Sequence, residues 1–217
     1  MAEIIHVTDR NRADIRFQDG ALPHLRGVKS FQILRANRAH PQDAEGFGWT
    51  YNHAPMLCYA FDTFFCQFLS NPADEHETPG HTLLSTSKDG MHWDKLPVNP
   101  IFCATKENPY EQDRIGACQV VKADGWHYMF YIGYEDIDTA RICVARSRNG
   151  VTGWERHRDN PIVSPTEGGW DADACYKPTV VRVEQNGRWL LWYNGRRGGD
   201  EYIGLVIHEG LDLGFER

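Results

Sequence analysis

The sequence contains three copies of one pattern at a period of about 60 residues. In each copy an apolar run passes through a turn into an aromatic run, and a large aromatic residue follows. These aromatic residues are Trp93, Trp154 and Phe215, at spacings of 61 and 61. The first two copies also share an Asn-Pro-Ile motif, at residues 99–101 and 160–162. Long repeats of this kind are typical of propellers and solenoids, in which each copy forms one small sheet.

The composition agrees with an all-β propeller. Of the 217 residues, 41% are hydrophobic and 12% are aromatic, which is enough to bury a core. The 20 Gly and 11 Pro suit a fold with many turns, and no stretch of the sequence favours helix. The fold class that the sequence predicts is therefore all-β, a β-propeller with three clear blade repeats.

The net charge and the cysteine pattern indicate which binding partners and which cellular compartment to expect. The net charge is -7 and no basic stripe is present, so we expect neither nucleic acid nor a membrane as a partner. Residues 1–16 lack the apolar core of a secretory signal, which predicts a soluble, cytoplasmic protein. The six Cys show no CxxC spacing and mostly lie in apolar runs, which is typical of reduced structural thiols.

The repeats predict a single propeller domain over residues 49–217, preceded by an N-terminal segment, residues 1–48. The predicted blades cover residues 49–102, 110–164 and 170–217. Within them, Val120–Phe130 and Val180–Trp192 have the pattern of hairpins around a Gly turn. Three blades leave an open ring with unprotected strand edges. We therefore expect either that residues 1–48 contribute strands that close the ring or that the chain forms a homo-oligomer.

The propeller topology predicts one mouth that gathers polar segments from all three repeats. The first strand of every blade lines the central axis and strand direction alternates. Segments that lead into first strands and loops between second and third strands then lie on the same face. The six segments are residues 48–55, 110–117 and 169–178, which lead into first strands, and the loops 71–81, 135–140 and 195–201.

Three polar residues of the leading segments have nearly equal spacing. Asn52, Asp113 and Asp173 are 61 and 60 residues apart, which predicts that they occupy one repeat position and converge on the axis. The alternative is that an Asp before a strand only caps a turn through its own backbone. Four aromatic residues of these segments are candidates for stacking on sugar rings or for blade packing: Trp49, Tyr51, Tyr110 and Trp170.

The loop of the second repeat is strongly acidic. Glu135, Asp136 and Asp138 lie within four residues, and such crowding is expected to raise the pKa of at least one of them. The alternative is a solvated acidic turn paired to Arg141. The cations expected near the mouth, which neutralise or orient these acids, are Arg114, Lys177, Arg196 and Arg197.

Two turns are similar to the Asp box of propeller hairpins. The segments SKDGMHW and SRNGVTGW place Asp89 and Asn149 at corresponding positions. Such turns are architectural, so we assign these two residues structural roles.

The strand sequences resemble those of a known superfamily. Residues 171–178, DADACYKP, followed by RWLLWYNGR and IGLVIHEG, are similar to the furanosidase-like glycoside hydrolases with five-bladed propellers. This superfamily holds families 32, 43, 62, 68 and 130, and the chain resembles families 43, 32 and 130. The shared pattern recurs three times over residues 49–217.

The resemblance implies a glycosidase fold and activity. Such enzymes hydrolyse a small oligosaccharide or glycoside, usually with inversion, through an acid and a base carboxylate. It implies catalytic roles for Asp113 and Asp173 and a third acid from Glu135, Asp136 or Asp138, of which Glu135 is the first candidate. Substrate-binding roles are implied for Asn52, His53, Trp49, Arg114, Asp136, Asp138, Trp170, Asp171, Lys177 and Arg196. No organic cofactor or metal is expected, and no ligand spacing supports an axial calcium ion near His53.

Three alternatives remain open. An inverting phosphorylase would use the cations near the mouth to hold phosphate as the nucleophile. A non-catalytic carbohydrate-binding or assembly propeller is favoured by Asn52, since an amide cannot act as a base. A sialidase-like site requires three Arg around a substrate carboxylate and a Tyr nucleophile, and it ranks lower because the Arg residues do not repeat in register.

Overall fold

The computed structural model describes residues 51–78 and 80–216. These residues form twelve strands and two short 3-10 helices, Pro109–Glu111 and Glu184–Asn186. The strands are β1 (Tyr51–Ala60), β2 (Thr63–Asn71), β3 (His81–Ser87), β4 (Asp94–Lys95), β5 (Phe102–Cys103), β6 (Arg114–Ala123), β7 (Trp126–Tyr134), β8 (Ala140–Ser147), β9 (Glu155–Arg156), β10 (Ala174–Val183), β11 (Arg188–Arg197) and β12 (Asp200–Glu209). The all-β prediction is confirmed, and no helix in this part of the chain is long and apolar enough to span a membrane.

The strands group into three consecutive blades, which we call the first (β1–β5), second (β6–β9) and third (β10–β12) blade. Within each blade, strands that are consecutive in the chain pair antiparallel, and β5 returns to pair with β3. One parallel pair, Ala174 with Ala140, joins the third blade to the second. The predicted hairpins are observed as β6–β7 and β10–β11. The sheets of the described residues do not close into a ring.

The core lies between neighbouring blades. Phe130 and Val144 of the second blade and Leu191 of the third are at most 5% exposed and belong to one cluster. Each such side chain contributes roughly 2 kcal/mol through burial. The ring of Trp154 lies 6.2 Å from Phe102 of the first blade. Phe215, in turn, contacts the second blade.

Phe215 lies 5.9 Å from the ring of Tyr128 in the second blade. Trp154 and Phe215, one repeat apart, thus each seal an interface with the preceding blade. Trp93, the first aromatic residue of the series, packs on the buried cluster that contains Phe68 and Leu83. The repeat pattern therefore identifies residues that hold the blades together.

The two turns similar to Asp boxes have the architectural role predicted for them. Asp89 Oδ1 accepts hydrogen bonds from the backbone N–H groups of Met91 and His92, each at 2.8 Å. Asn149 Oδ1 accepts the corresponding bonds from Val151 and Thr152 at 2.9 and 2.8 Å. Both side chains therefore use their hydrogen bonds to stabilise the turn that follows the third strand of their blade.

The first strand of every blade contains an irregularity at the same level. The pairing shifts between His53 and Met56 in β1, between Gly116 and Cys118 in β6, and between Tyr176 and Thr179 in β10. The pairs at the adjacent end of the three hairpins are Tyr51–Asn71, Arg114–Tyr134 and Ala174–Arg196. Bulges of this kind redirect side chains and are common beside active sites.

This pairing corrects the register predicted for Asn52. Asn52 lies one residue inside β1, at the level of Ile115 and Cys175. Asp113 and Asp173 instead directly precede their strands, and the position before Tyr51 lies outside the described residues. The error arose because the loops inside the blades differ in length, residues 72–80 between β2 and β3 and residues 135–139 between β7 and β8, so equal sequence spacing does not give equal sheet register.

Candidate active site

A cavity of about 550 Å³ lies where the first strands of the three blades meet. The residues around the three bulges line it: His53, Ala54, Gly116, Ala117, Tyr176 and Lys177. Residues between the second and third strands or at the start of the third strand complete the wall, among them Glu75 and Asp138 from loops and Glu201 from the start of β12. All six segments predicted to share one mouth thus contribute to this cavity.

The bulge of the third blade presents a cation to the cavity. Lys177 has a φ of 52°, which is uncommon for a residue with a side chain and is typically maintained only where the surroundings enforce it. Its Nζ lies 5.1 Å from the ring centroid of Tyr176, and none of the ion pairs among the described residues involves it. Lys177 is therefore a cation available to a ligand.

Two arginines add positive charge to the cavity wall. Arg114 is 5% exposed, forms an ion pair with Asp113 and lies over the ring of Tyr134 at 4.0 Å. Arg196 Nη2 donates to the backbone oxygen of Asp138 at 2.8 Å and lies 3.8 Å from its carboxylate. Both guanidinium groups are thus fixed in place by neighbouring groups.

Glu201 is the most tightly held carboxylate of the cavity. It accepts a hydrogen bond from the Tyr176 hydroxyl and one from Asn194 Nδ2 at 2.8 Å. These two bonds, that from Tyr176 first, lower the pKa of Glu201 and keep it ionised. Burial, and then the bond to Glu201, raise the pKa of Tyr176, so its hydroxyl stays protonated at neutral pH.

A histidine and a second glutamate lie on the opposite wall, in the first blade. His53 Nδ1 is 3.7 Å from Glu75 Oε1. Burial lowers the pKa of His53, although the charge of Glu75 and a hydrogen bond with Asn71 oppose this effect. His53 is therefore neutral at pH 7. Within residues 51–78 and 80–216 no cluster of His, Cys, Asp and Glu has the geometry of a metal site.

None of the three carboxylates predicted to be catalytic lines the cavity. Asp113 reaches it only through its ion pair with Arg114. Asp173 Oδ2 accepts a hydrogen bond from the backbone N–H of Gly198 at 2.6 Å and so caps the β11–β12 turn. Glu135 pairs with Arg141, as the alternative of a solvated acidic turn predicted.

The crowding of acids in the β7–β8 loop does not raise the pKa of Asp136. Its carboxylate accepts backbone hydrogen bonds from Asp138 and Thr139 at 2.9 and 2.6 Å. Those bonds, that from Thr139 first, lower its pKa. Asp136 is exposed and stabilises the turn, whereas Asp138, two residues on, does line the cavity.

Trp170 and Asp171 pack the third blade and do not line the cavity. Trp170 stacks on Tyr193 at 5.7 Å. Asp171 is 2% exposed and accepts hydrogen bonds from the Tyr193 hydroxyl at 2.8 Å and the Thr166 backbone at 3.2 Å. Asn52 is also absent from the cavity wall, and Trp49 lies outside the described residues.

Several residues that line the cavity were not predicted from the sequence. Tyr176 and Glu201 belong to predicted mouth segments, but neither recurs at the repeat period. Tyr134 and Glu75 also line the wall. The sequence feature that could have indicated Tyr176 is its position in the run CYKP, residues 175–178, directly before the bulge.

Comparison with protein families supports the architecture. A family model described as BT_1020-like, N-terminal beta propeller matches residues 3–114, which is more than half of the 217 residues. The protein belongs to this family. Its membership, together with the three blades, confirms the predicted β-propeller and the resemblance to propeller glycosidases at the level of fold.

Solved structures that this protein resembles share its fold at low sequence identity. A complex of BT0996 with RGII has a TM-score of 0.64 at 14% identity, and the match covers 82% of this protein and 57% of BT0996. A family 117 glycoside hydrolase from Zobellia galactanivorans has a TM-score of 0.59 at 16% identity, covering 73% and 51%. A GH130 family structure, described with glycoside hydrolases that target β-1,2 mannosidic linkages in Candida mannan, has a TM-score of 0.57 at 16% identity, covering 86% and 55%.

The chain spans about half the length of these structures. No curated protein matches its sequence. At such identities the likeness shows the fold, and the chemistry has to be argued from the cavity itself.

Proposed function

We propose that this propeller acts on a carbohydrate in the cavity and hydrolyses a glycosidic bond. The observation that carries the proposal is the combination of three carboxylates, three cations and two tyrosines in one cavity of about 550 Å³. Carboxylates supply acid and base groups for glycoside hydrolysis, and tyrosine rings suit sugar faces. The likeness in fold to proteins described as glycoside hydrolases is consistent with this chemistry.

The cations favour a sugar that carries a carboxylate. Lys177 has no ion-pair partner among the described residues, and Arg196 is 3.8 Å from the carboxylate of Asp138, too far for a direct hydrogen bond. Both cations are therefore available to an anionic group of a ligand. Guanidinium groups match carboxylates in a two-pronged geometry, which adds specificity.

The acids of the cavity differ in their suitability for proton transfer. Glu201 is held ionised and is the candidate base. Asp138 lies on the β7–β8 loop and lines the cavity, and we assign it the proton transfer at the leaving oxygen. Asp113 supports the site by holding Arg114. We propose this division of roles in place of the one predicted for Asp113, Asp173 and Glu135.

A non-catalytic carbohydrate-binding propeller is the second candidate. It is favoured by the bulge positions His53, Gly116 and Tyr176, none of which is a carboxylate. Such a protein would bind the same anionic sugar without turnover. Phosphorolysis is a third outcome, because the same cations would attract phosphate.

The test is turnover on a panel of 4-nitrophenyl glycosides of neutral sugars and of sugars with a carboxylate, with and without inorganic phosphate. We expect hydrolysis that does not depend on phosphate. Glu201→Gln should lower turnover by about 10² or more, the scale of a positioned base. Glu209→Gln is the matched control, since Glu209 lies on the same strand but pairs with Arg188 outside the cavity.

The other possible results of this assay distinguish the remaining candidate functions. Binding without turnover by the wild type supports the binding propeller, and phosphate-dependent release supports a phosphorylase. Asp113→Asn and Asp173→Asn, measured in parallel, test the roles predicted from the sequence. If Asp173→Asn loses activity and Glu201→Gln does not, the assignment made here is wrong.

A further inference from the structure

Tyr176 and Glu201 form a hydrogen-bonded pair on the cavity wall. Tyr176 is the last residue before the bulge of β10, and its hydroxyl donates to Glu201 Oε1. The other carboxylate oxygen of Glu201 accepts from Asn194 Nδ2 at 2.8 Å. Asn194 pairs with Tyr176 across the β10–β11 ladder, so three adjacent strands fix this arrangement. A hydroxyl beside a fixed carboxylate is the usual geometry of an activated nucleophile.

Two cations, Lys177 and Arg196, lie near the hydrogen-bonded pair of Tyr176 and Glu201. Arg196 acts on Tyr176 electrostatically and lowers its pKa, against the larger effects of burial and of Glu201. Lys177, the next residue, lies on the same wall with its Nζ 5.1 Å from the Tyr176 ring. Positive charge at this place stabilises a phenolate oxygen as its proton leaves.

Tyr134, the other tyrosine of the cavity, lacks this arrangement. Its ring lies against the guanidinium of Arg114 at 4.0 Å, and burial is the main effect that raises its pKa. The hydrogen bonds of the described residues include none from its hydroxyl to a carboxylate. Tyr176 therefore differs from Tyr134 in having a fixed acceptor for its proton.

We infer that Tyr176 is the catalytic nucleophile of this cavity, with Glu201 as its base, so that glycoside cleavage proceeds with retention. The inference rests on the proposed function and adds the identity of the attacking group. A neutral nucleophile suits a substrate that carries a carboxylate, because an attacking carboxylate would be repelled by the substrate's own charge. Tyrosine takes this role in sialidases, in contrast to most glycosidases.

The reaction balances in two steps. In the first, Tyr176 Oη bonds to the anomeric carbon and its proton passes to Glu201. The glycosidic C–O bond breaks, and its electron pair leaves with the aglycone oxygen, which takes a proton from Asp138. In the second, water attacks the anomeric carbon and gives its proton to Asp138, while the bond to Tyr176 breaks and the phenolate recovers its proton from Glu201. The sum is hydrolysis, with the protein unchanged.

The test combines stereochemistry, trapping and substitution on the full chain. The best 4-nitrophenyl glycoside from the panel is cleaved, and ¹H NMR records the configuration of the first-formed product. A fluorinated, activated glycoside of the same sugar is used to trap the intermediate, and peptide mass spectrometry locates the label. Tyr176→Phe is expected to lower kcat by about 10³ or more while ligand binding and the circular dichroism spectrum are kept.

Tyr202→Phe is the matched control, because Tyr202 is exposed, contacts Trp170 and does not line the cavity. Retention of configuration with a label on Tyr176 supports the inference. Inversion, a label on a carboxylate, or full activity of Tyr176→Phe overturns it while hydrolysis by the protein stands. A wild type that is inert on the whole panel overturns the proposed function, and the inference with it.

Discussion

Asn99 and Asn160 occupy the same place in consecutive blades, and each binds the backbone N–H and carbonyl of one residue of a third strand with its side-chain amide. Asn99 accepts a hydrogen bond from the Leu84 N–H and donates to the Leu84 carbonyl, both at 2.9 Å. Asn160 does the same with Val144, again at 2.9 Å for both bonds. Each side chain thus extends the sheet where a regular fourth strand is lacking.

The first prediction concerns the hydrogen bonds of Asn160. Asn160→Ala leaves the N–H of Val144, a buried residue, without its partner, whereas the Val144 carbonyl still accepts from the His157 N–H at 3.0 Å. We expect a loss of about 1–3 kcal/mol in the free energy of unfolding, the cost of one unsatisfied buried backbone group. Urea denaturation measures it. Asn186→Ala, in the exposed 3-10 helix before β11, is the control, and equal effects of the two substitutions would contradict the account.

The second prediction concerns the close approach of Trp170 to the third blade. A Cβ at Gly195 would lie 2.2 Å from Trp170 Cζ3 and 2.5 Å from Asp171 Cβ. Gly195→Ala must therefore displace the indole, and we expect a destabilisation of about 1–3 kcal/mol, as for other overpacked sites. Tryptophan fluorescence and urea denaturation follow the change. At Gly199 an added Cβ meets nothing within 4 Å, so Gly199→Ala should be close to neutral.

Sequence reasoning predicted the blades because their packing repeats. Trp154 and Phe215 pack at equivalent interfaces between blades. A large aromatic residue is therefore needed at the same position of each repeat, and the sequence shows this as a constant spacing. The same reasoning misplaced Asn52, because a bulge and connections of unequal length separate sequence spacing from sheet register. Register depends on which backbone groups pair, and spacing alone does not determine that.

The candidate site was predicted at the level of segments and for five individual residues that line the cavity, His53, Arg114, Asp138, Lys177 and Arg196, whereas the residues predicted to be catalytic do not line it. The topology places all six polar segments at one mouth, and that follows from the alternation of strand direction. Which residue in each segment faces the cavity depends on bulges and turns. Asp173 caps the β11–β12 turn, whereas Glu201, the second residue of β12 after that turn, faces the cavity. Packing residues recur in successive blades, but the residues that face the cavity do not. Tyr176 and Glu201 could therefore not be recognised from the repeat period.

The third prediction is a pH dependence that comes from Asp171. Burial alone would raise its pKa, but hydrogen bonds from Tyr193 and Thr166 outweigh this and lower it below the usual 3.8. The carboxylate therefore stabilises the fold fully above pH 3.8, and the stabilisation is lost as the pH falls through the lower pKa of the folded state. Asp171→Asn should reduce stability at pH 7 and flatten the loss of stability at acidic pH.

Urea midpoints of both proteins at pH 7 and at acidic pH measure this effect. Asp200→Asn is the control, since Asp200 is exposed at the start of β12. An Asp171→Asn variant with the same acid dependence as the wild type would show that other groups determine it.

The neighbouring residues Arg196 and Arg197 allow the most direct test of the central claim, that the cavity between the blades is where a glycoside is cleaved. Arg196 lines the cavity, whereas Arg197 donates to the Gly168 carbonyl at 3.1 Å and does not line it. The measurement is kcat/KM of wild type, Arg196→Ala and Arg197→Ala on the best carboxylate-bearing 4-nitrophenyl glycoside. We predict a loss of about 10-fold to 10²-fold for Arg196→Ala, the scale of a charge-assisted hydrogen bond, and a change of less than about twofold for Arg197→Ala, the result expected of a surface substitution. Equal effects of the two substitutions, or none from Arg196→Ala, would contradict the account.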